Sequence, residues 1–231
     1  MSYQAVLFDL DGTLLDTLTD LADATNCALR SLGFPEHPRE CFRYFIGDGV
    51  EQLIRRVLPE DRCDAATLAA CADLMRKEYG ERWAATTRPY DGIAELLDAL
   101  AARGVPMAVF SNKPDEFTRL CVAQLLPQWK FAVVLGAGTT LPRKPDPAGA
   151  REIARRLGVA PGEVLYLGDT NTDMQTAVAA GMFPVGALWG FRTADELTGS
   201  GARALLQRPW ELLDILDKGG QAQKATAEKA G

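Results

Sequence analysis

Residues 5–14 constrain the fold of this chain more than any other stretch. Four apolar residues predict a buried strand, which stops at Asp9 and is followed by Asp11, Gly12 and Thr13. Because residues i and i+2 of a strand point the same way, we expect Asp9 and Asp11 to project into one small volume. A divalent cation or a shared proton would relieve the repulsion between their carboxylates. A strand end followed by a simple turn gives the same pattern, so the rest of the chain has to decide.

Composition excludes several classes of protein. The chain has 231 residues, 47% of them hydrophobic and 24% charged, which suits one large domain or a core with a smaller second domain. A net charge of -6 argues against a nucleic-acid partner. No apolar run approaches the roughly 18 residues of a membrane span, so we expect no membrane partner. With His37 as its one histidine, the chain lacks material for a Ser-His-Asp or Cys-His mechanism and for a histidine-based zinc site.

The N-terminal sequence and the cysteines predict a cytoplasmic protein. The chain does not open with a basic segment followed by an apolar one, as a signal peptide would. Its five cysteines include no Cys-x-x-Cys pair, and we expect them to be reduced thiols.

The order of predicted elements indicates an α/β core with an insertion. Helical patterns cover residues 18–32, 38–45, 49–58 and 64–84, and nothing between residues 15 and 85 predicts a strand. From Asp91, which we expect to cap a helix, helices alternate with strands predicted at 105–110, 131–135, 164–168, 183–187 and 202–206. Alternation of this kind predicts a doubly wound parallel sheet. We therefore expect a core domain of residues 1–14 and 86–217, an all-helical domain of residues 15–85 and a flexible tail of residues 218–231.

Four polar clusters follow predicted strands, at the edge where parallel sheets bind ligands. They are Asp9-x-Asp11, Ser111-Asn112-Lys113, Arg143-Lys144-Pro145 and Asp169-x-x-x-Asp173. Each alone has an ordinary explanation: Ser111 and Asn112 could cap a helix, Lys144 could be a solvated loop cation, and the last two carboxylates could favour a helix N-terminus. Their convergence on one edge is harder to explain in that way.

Together the clusters predict phosphoryl transfer. Several carboxylates without histidine suit Mg²⁺, which takes oxygen ligands. A hydroxyl, an amide and a lysine can hold phosphate oxygens, and the backbone N–H groups of residues 9–13 could add an anion-binding nest. An aspartate can attack phosphorus to form an aspartyl-phosphate. Its partner two residues later can protonate the leaving oxygen and then deprotonate the attacking water.

In this order the four clusters resemble the four motifs of the haloacid dehalogenase superfamily of phosphohydrolases. The resemblance implies that Asp9 is the nucleophile and a Mg²⁺ ligand. It implies that Asp11 is the general acid and base and lends the metal its backbone carbonyl. The further roles that it implies are phosphoryl binding by Ser111 and Lys144 with Asn112 beside them, Mg²⁺ ligation by Asp169, and support of that site by Asp173. Gly12 and Thr13 belong to the predicted nest and are expected to bind phosphate through their backbone N–H groups.

The helical insertion resembles the cap that follows the first motif in this superfamily and selects the substrate. Within the superfamily the chain is most similar to bacterial phosphoglycolate phosphatases. The supporting segments are Asp16-Thr17, the turn Ile46-Gly47-Asp48-Gly49-Val50, residues 111–114 and 141–147, and Leu188-Trp189-Gly190. The resemblance implies hydrolysis of 2-phosphoglycolate, a small phosphorylated metabolite, by a monomer or homodimer. Gly47, Asp48 and Gly49 could bring backbone amides to this substrate, or could form an ordinary turn between helices.

Other readings stay open. The substrate could be a sugar phosphate, a nucleotide or pyrophosphate. A β-phosphoglucomutase-like phosphotransferase would resemble this chain, but it usually carries a histidine where this chain has Leu21. A receiver-like module could bind phosphate without turnover, although such modules rarely carry a helical insertion of about 70 residues. A haloacid dehalogenase proper normally lacks the counterpart of Asp11, and the loop of ATP-driven enzymes is absent.

Overall fold

The structure is a computed structural model that describes residues 3–138 and 140–218. The strands of these residues are β1 (Ala5–Phe8), β2 (Leu15–Asp16), β3 (Arg88–Pro89), β4 (Met107–Pro114), β5 (Val133–Ala137), β6 (Val164–Gly168), β7 (Phe183–Ala187) and β8 (Ala204–Leu206). The helices are α1 (Leu18–Ser31), α2 (Phe42–Phe45), α3 (Val50–Val57), α4 (Ala65–Arg82), α5 (Ile93–Ala102), α6 (Asp115–Leu125), α7 (Ala148–Leu157), α8 (Asn171–Ala180) and α9 (Ala194–Gly199). Residues 212–218 are also helical.

A parallel sheet forms the centre of the molecule, and the predicted α/β fold is confirmed. Within the described residues its strand order is β5-β4-β1-β6-β7-β8. Phe8 at the end of β1 pairs in register with Val109 on one side and Leu167 on the other. The residues that follow these three positions therefore meet at one edge of the sheet.

Helices cover the two faces of the sheet. Since successive side chains of β1 point in opposite directions, they pack against helices on opposite faces. Val6 and Phe8 belong to a hydrophobic cluster that includes residues of α5 and α6. Leu7 belongs to a second cluster, which includes residues of α7 and α8. Each residue of β1 is fully buried, as expected of a central parallel strand.

Along the chain, the helices α1 to α4 come between β2 and β3. They have a hydrophobic cluster of their own. It contains Leu29, Phe42, Ile54 and Met75. The two-stranded antiparallel ribbon of β2 and β3 connects these helices to the sheet. The prediction that residues 15–85 hold no strand is wrong at β2, because a two-residue strand has no periodicity and forms only by pairing with β3. We propose that the boundary between the two predicted domains lies at this ribbon.

Local predictions fail where a distant segment decides the outcome. Asp91 does not cap α5; the N-cap is Gly92 at φ 87, and a side chain there would lie 2.9 Å from the ring of Trp210. Strand β4 continues through residues 111–114, so Ser111 belongs to the strand rather than to a helix cap. Helix α9 was not predicted, although Thr193 and Glu196 form a capping box that the sequence carries.

Two further points concern the whole chain. The predicted tail of residues 218–231 lies outside the described residues, apart from its first position. Among the described helices, none combines the length and the apolar character that crossing a membrane requires.

Candidate active site

A buried lysine connects two carboxylates at the carboxyl edge of the sheet. Lys144, in the segment between β5 and α7, places its Nζ 2.8 Å from Asp9 Oδ1 and 2.7 Å from Asp173 Oδ1. Burial alone would lower the pKa of Lys144, but Asp173 and Asp9 outweigh it and raise that pKa well above its usual value. The side chain is therefore a fixed positive charge between the end of β1 and the first turn of α8.

The backbone of Lys144 is held by Asn112, at the end of β4. Asn112 Oδ1 accepts a hydrogen bond from Lys144 N at 2.9 Å, and its Nδ2 donates to Lys144 O at 3.1 Å. The same Nδ2 donates to Gly47 O of the inserted helices at 3.1 Å. Asn112 was predicted to lie beside the phosphate, but in this structure its amide positions Lys144 and contacts the turn at Gly47.

The carboxylates of Asp173 and Asp169 each accept hydrogen bonds from nearby residues. Thr170 donates to Asp173 Oδ2 from its N at 3.0 Å and from its Oγ1 at 2.6 Å. Asp169 Oδ1 accepts from Thr13 Oγ1 at 2.8 Å, and its Oδ2 accepts from Phe191 N at 2.8 Å. Thr13 was predicted to bind phosphate through the nest of backbone N–H groups, which stays a prediction, and its hydroxyl orients Asp169.

Two glycines let the backbone approach Asp169 closely. A Cβ added at Gly12 or at Gly190 would overlap the side chain of Asp169. Gly12 also has φ 86, which disfavours any other residue. Gly12 was predicted as a phosphate-binding residue, and its position beside Asp169 gives it a second reason to be glycine.

The donor set fits a divalent cation. Asp9, Asp169 and Asp173 each offer an oxygen, and these oxygens lie within 4.8 Å of one another. Burial and Asp173 raise the pKa of Asp169 to about 7, and the same two causes raise that of Asp9 well above its usual range despite Lys144. Asp9 Oδ1 is buried and, apart from its ion pair with Lys144, has no hydrogen-bond partner. Three buried carboxylates thus face one ammonium group, and the two uncompensated charges match one Mg²⁺.

The carboxylate of Asp11 lies outside this acidic group and pairs with Lys113. Lys113 Nζ is 3.0 Å from Asp11 Oδ1 and 3.2 Å from Oδ2. The ammonium group also lies 4.5 Å from the ring centre of Tyr79 in α4. Lys113 belongs to the motif that begins at Ser111, but it was not predicted as a site residue. The signal was available, since a lysine that continues a buried strand needs an anionic partner.

A cavity lies between the sheet edge and the inserted helices. Its floor residues are Asp9, Asp11, Ser111, Asn112 and Lys113. Ser111 Oγ accepts a hydrogen bond from Lys113 N at 3.2 Å, which leaves its own proton available to a ligand. The structure thus brings together nearly all of the predicted site residues at one place.

Asp48 is the predicted residue that lies apart. Gly47 and Gly49 line the cavity, whereas Asp48 does not. Its Oδ1 accepts from Thr172 Oγ1 at 2.5 Å, and its other oxygen pairs with Arg56. The side chain of Asp48 therefore connects the turn of the insertion to α8, and the predicted contact of its backbone with a substrate stays a prediction.

These features define a doubly wound α/β enzyme with an acidic cluster and a buried lysine at the carboxyl edge of its sheet. The sequence profile of the haloacid dehalogenase-like hydrolases matches residues 6–187. The chain belongs to this family, as the four motifs predicted, and is an enzyme of the phosphatase class.

Individual relatives agree with this assignment. A phosphoglycolate phosphatase of Thiobacillus denitrificans is 39% identical over 181 residues, which cover 77% of this chain and 80% of that protein. One of Nitrosospira multiformis is 34% identical over 221 residues, covering 93% of this chain and 96% of that protein. The crystal structure of a predicted phosphoglycolate phosphatase from Haemophilus somnus has a TM-score of 0.85 at 25% identity and covers 93% of this chain and 98% of that one.

Proposed function

We propose that the protein is a Mg²⁺-dependent phosphomonoesterase that hydrolyses 2-phosphoglycolate to glycolate and phosphate. The observation that carries this proposal is the position of Lys144 between Asp173 and Asp9, of which Asp9 lies at the floor of the cavity. The similarity to the named phosphoglycolate phosphatases supports the choice of substrate. We further propose that the enzyme is cytoplasmic, as its sequence features predict, and that it acts as a monomer or homodimer.

The proposed reaction uses Asp9 twice, first as nucleophile and then as leaving group. Lys144 and the hydroxyl of Ser111 hold the phosphate oxygens, while a carboxylate oxygen of Asp9 attacks phosphorus. The bond between phosphorus and the substrate oxygen breaks, and Asp11 gives its proton to that oxygen. Asp11 then takes a proton from water, whose oxygen attacks the aspartyl-phosphate and releases phosphate and free Asp9.

Mg²⁺ bound by Asp9, Asp169 and Asp173 would offset the negative charge of the phosphate that the nucleophile approaches. The role of Asp11 requires that its carboxylate leave Lys113 or share its proton with the leaving group. We propose that the helices of residues 15–85 act as a cap, because Tyr79 of α4 contacts Lys113 and other residues of the insertion line the cavity.

A phosphatase assay over small phosphometabolites, with Mg²⁺ and with EDTA, tests this proposal. We expect turnover of 2-phosphoglycolate that EDTA abolishes. Acid-quenched parent enzyme should carry a phosphoryl group, and Asp9→Asn should carry none and turn over no substrate. Turnover by Asp9→Asn comparable with that of the parent would contradict the nucleophile. Silence across the panel, including p-nitrophenyl phosphate, would favour a phosphate-binding module.

A further inference from the structure

The roof of the cavity is mainly apolar and carries one charge. The inserted helices contribute Leu21, Ile46, Val50, Leu53 and Met75 to it. Among the described residues with which these helices line the cavity, Arg76 is the only one that has a charged side chain. A ligand that spans the cavity from floor to roof therefore meets a single cation at its far end.

Arg76 lies close to where a leaving group would emerge. It precedes Tyr79 by three residues of α4, so both side chains occupy the same side of the helix, about 4.5 Å apart along its axis. The ring of Tyr79 contacts Lys113, and Lys113 pairs with the proposed acid Asp11. The backbone position of Arg76 thus lies about one helical turn from the residue that contacts this pair.

The guanidinium of Arg76 is available to a ligand. It pairs with Asp73 at 2.6 Å. The side chain of Arg76 is 50% exposed and that of Asp73 is 73% exposed. An exposed ion pair of this kind adds little to stability, so a ligand carboxylate can replace Asp73 with little loss. A guanidinium binds a carboxylate through two parallel hydrogen bonds, which also fixes the orientation of the ligand.

The other polar groups of the cavity either have partners or serve the phosphate. Lys113 holds Asp11, the amide of Asn112 donates to Gly47 and Lys144, and the hydroxyl of Ser111 holds the phosphate in the proposed reaction. The apolar roof offers few partners for the hydroxyl groups of a sugar, and burying those groups unpaired is unfavourable. The cavity therefore suits a small ligand with an anion at each end better than a sugar phosphate.

We propose that Arg76 determines specificity by binding the carboxylate of a small phosphorylated carboxylic acid whose phosphate lies at Asp9. This assignment rests on the proposed function, which it extends by naming the group that recognises the leaving acid. It predicts that the enzyme distinguishes substrates by the charge opposite the phosphate.

Two substrates of similar size separate this role from a general one. In ethyl phosphate, a methyl group replaces the carboxylate of 2-phosphoglycolate. In Arg76→Gln we expect kcat/KM for 2-phosphoglycolate to fall about 10- to 100-fold, the loss typical of a charge-assisted hydrogen bond. For ethyl phosphate we expect a change below about twofold, since that substrate never contacts the guanidinium. Arg76→Lys keeps the charge but cannot form the two parallel hydrogen bonds. Its kcat/KM for 2-phosphoglycolate should therefore lie between those of the parent and Arg76→Gln.

Arg82→Gln is the matched control, because Arg82 lies on the same helix, pairs with Glu78 and does not line the cavity. It should leave both substrates unchanged. Equal losses on both substrates in Arg76→Gln, or no loss on either, would overturn the assignment and leave the phosphatase reaction intact. A parent enzyme that prefers ethyl phosphate would overturn it as well. A parent that hydrolyses neither phosphate would overturn the proposed function, and the role of Arg76 with it.

Discussion

Lys144 holds together two buried carboxylates that would otherwise repel each other. Asp9 has to be ionised to attack phosphorus, yet burial and Asp173 favour its protonated form. The nearby ammonium group counteracts both effects. Its position depends on Asn112, which fixes the backbone at residue 144 with two hydrogen bonds. In the proposed reaction this lysine therefore serves both stability and catalysis.

Replacing Lys144 should reveal its role in stability. We expect Lys144→Met to lower the free energy of unfolding by about 3–5 kcal/mol, because the variant leaves Asp9 and Asp173 buried without their cation. Urea denaturation monitored by circular dichroism measures this loss. The double variant Lys144→Met/Asp9→Asn should recover part of it, since one of the unpaired charges is gone. A Lys144→Met variant as stable as the parent would show that the carboxylates do not depend on this lysine.

Gly190 tests whether the close approach to Asp169 matters. An added methyl group overlaps Asp169, so Gly190→Ala should displace this carboxylate. We expect a destabilisation of about 1–3 kcal/mol and a Mg²⁺ affinity that is about 10- to 100-fold weaker, measured by calorimetric titration. Gly199→Ala is the control, because nothing lies within 4 Å of its new methyl group. Unchanged Mg²⁺ affinity in Gly190→Ala would argue that Asp169 is not a ligand.

At the scale of elements, the ribbon of β2 and β3 depends on a buried carboxylate in α1. Asp20 accepts hydrogen bonds from the backbone N and the side-chain hydroxyl of both Thr86 and Thr87. Burial alone would raise the pKa of Asp20, but these hydrogen bonds outweigh it and lower that pKa. The contact ties the first inserted helix to the returning chain beside β3. It therefore helps to fix where the insertion meets the sheet.

The lowered pKa of Asp20 makes this contact depend on pH in a known direction. Its contribution is complete above the unfolded-state pKa of about 3.9 and is lost as pH falls through the lower pKa of the folded protein. At pH 7 we expect Asp20→Asn to unfold with about 1–3 kcal/mol less free energy than the parent. The difference should shrink as the pH falls below about 4. Urea denaturation across this range measures it, with Asp23→Asn, a change at a half-buried position of the same helix that pairs with Arg39, as the control.

The sequence predicts elements well where a local pattern decides, and less well where a distant contact does. The run before Asp9 is apolar because β1 is buried on both faces, and this pattern is visible without a structure. The sequence does not show whether Asp48 is exposed or buried, because its hydrogen-bond partner, Thr172 of α8, lies 124 positions away along the chain. Likewise, Trp210 leaves no room for a side chain at Gly92, where α5 begins.

The candidate site follows the same division. The residues at strand ends could be predicted, since parallel strands bring their carboxyl ends together. Their division of labour could not. Thr13 orients Asp169, Asn112 holds Lys144, and Lys113 pairs with Asp11. These roles depend on distances between side chains that lie more than 30 positions apart, which spacing along the chain does not encode.

At the scale of the whole molecule, the acidic cluster belongs to the sheet edge, whereas the inserted helices have a separate hydrophobic cluster. Mg²⁺ that binds only the folded protein should stabilise it by about 2.7 kcal/mol at 100 times its dissociation constant. For a chain of this size we expect the melting temperature to rise by about 5–10 °C. EDTA should reverse the rise, and Asp169→Asn should abolish it. Asp146→Asn, an exposed change at the start of α7, should keep it. An equal rise in Asp169→Asn would mean that the stabilising Mg²⁺ binds elsewhere, and the acidic cluster would then lose its assignment as the metal site.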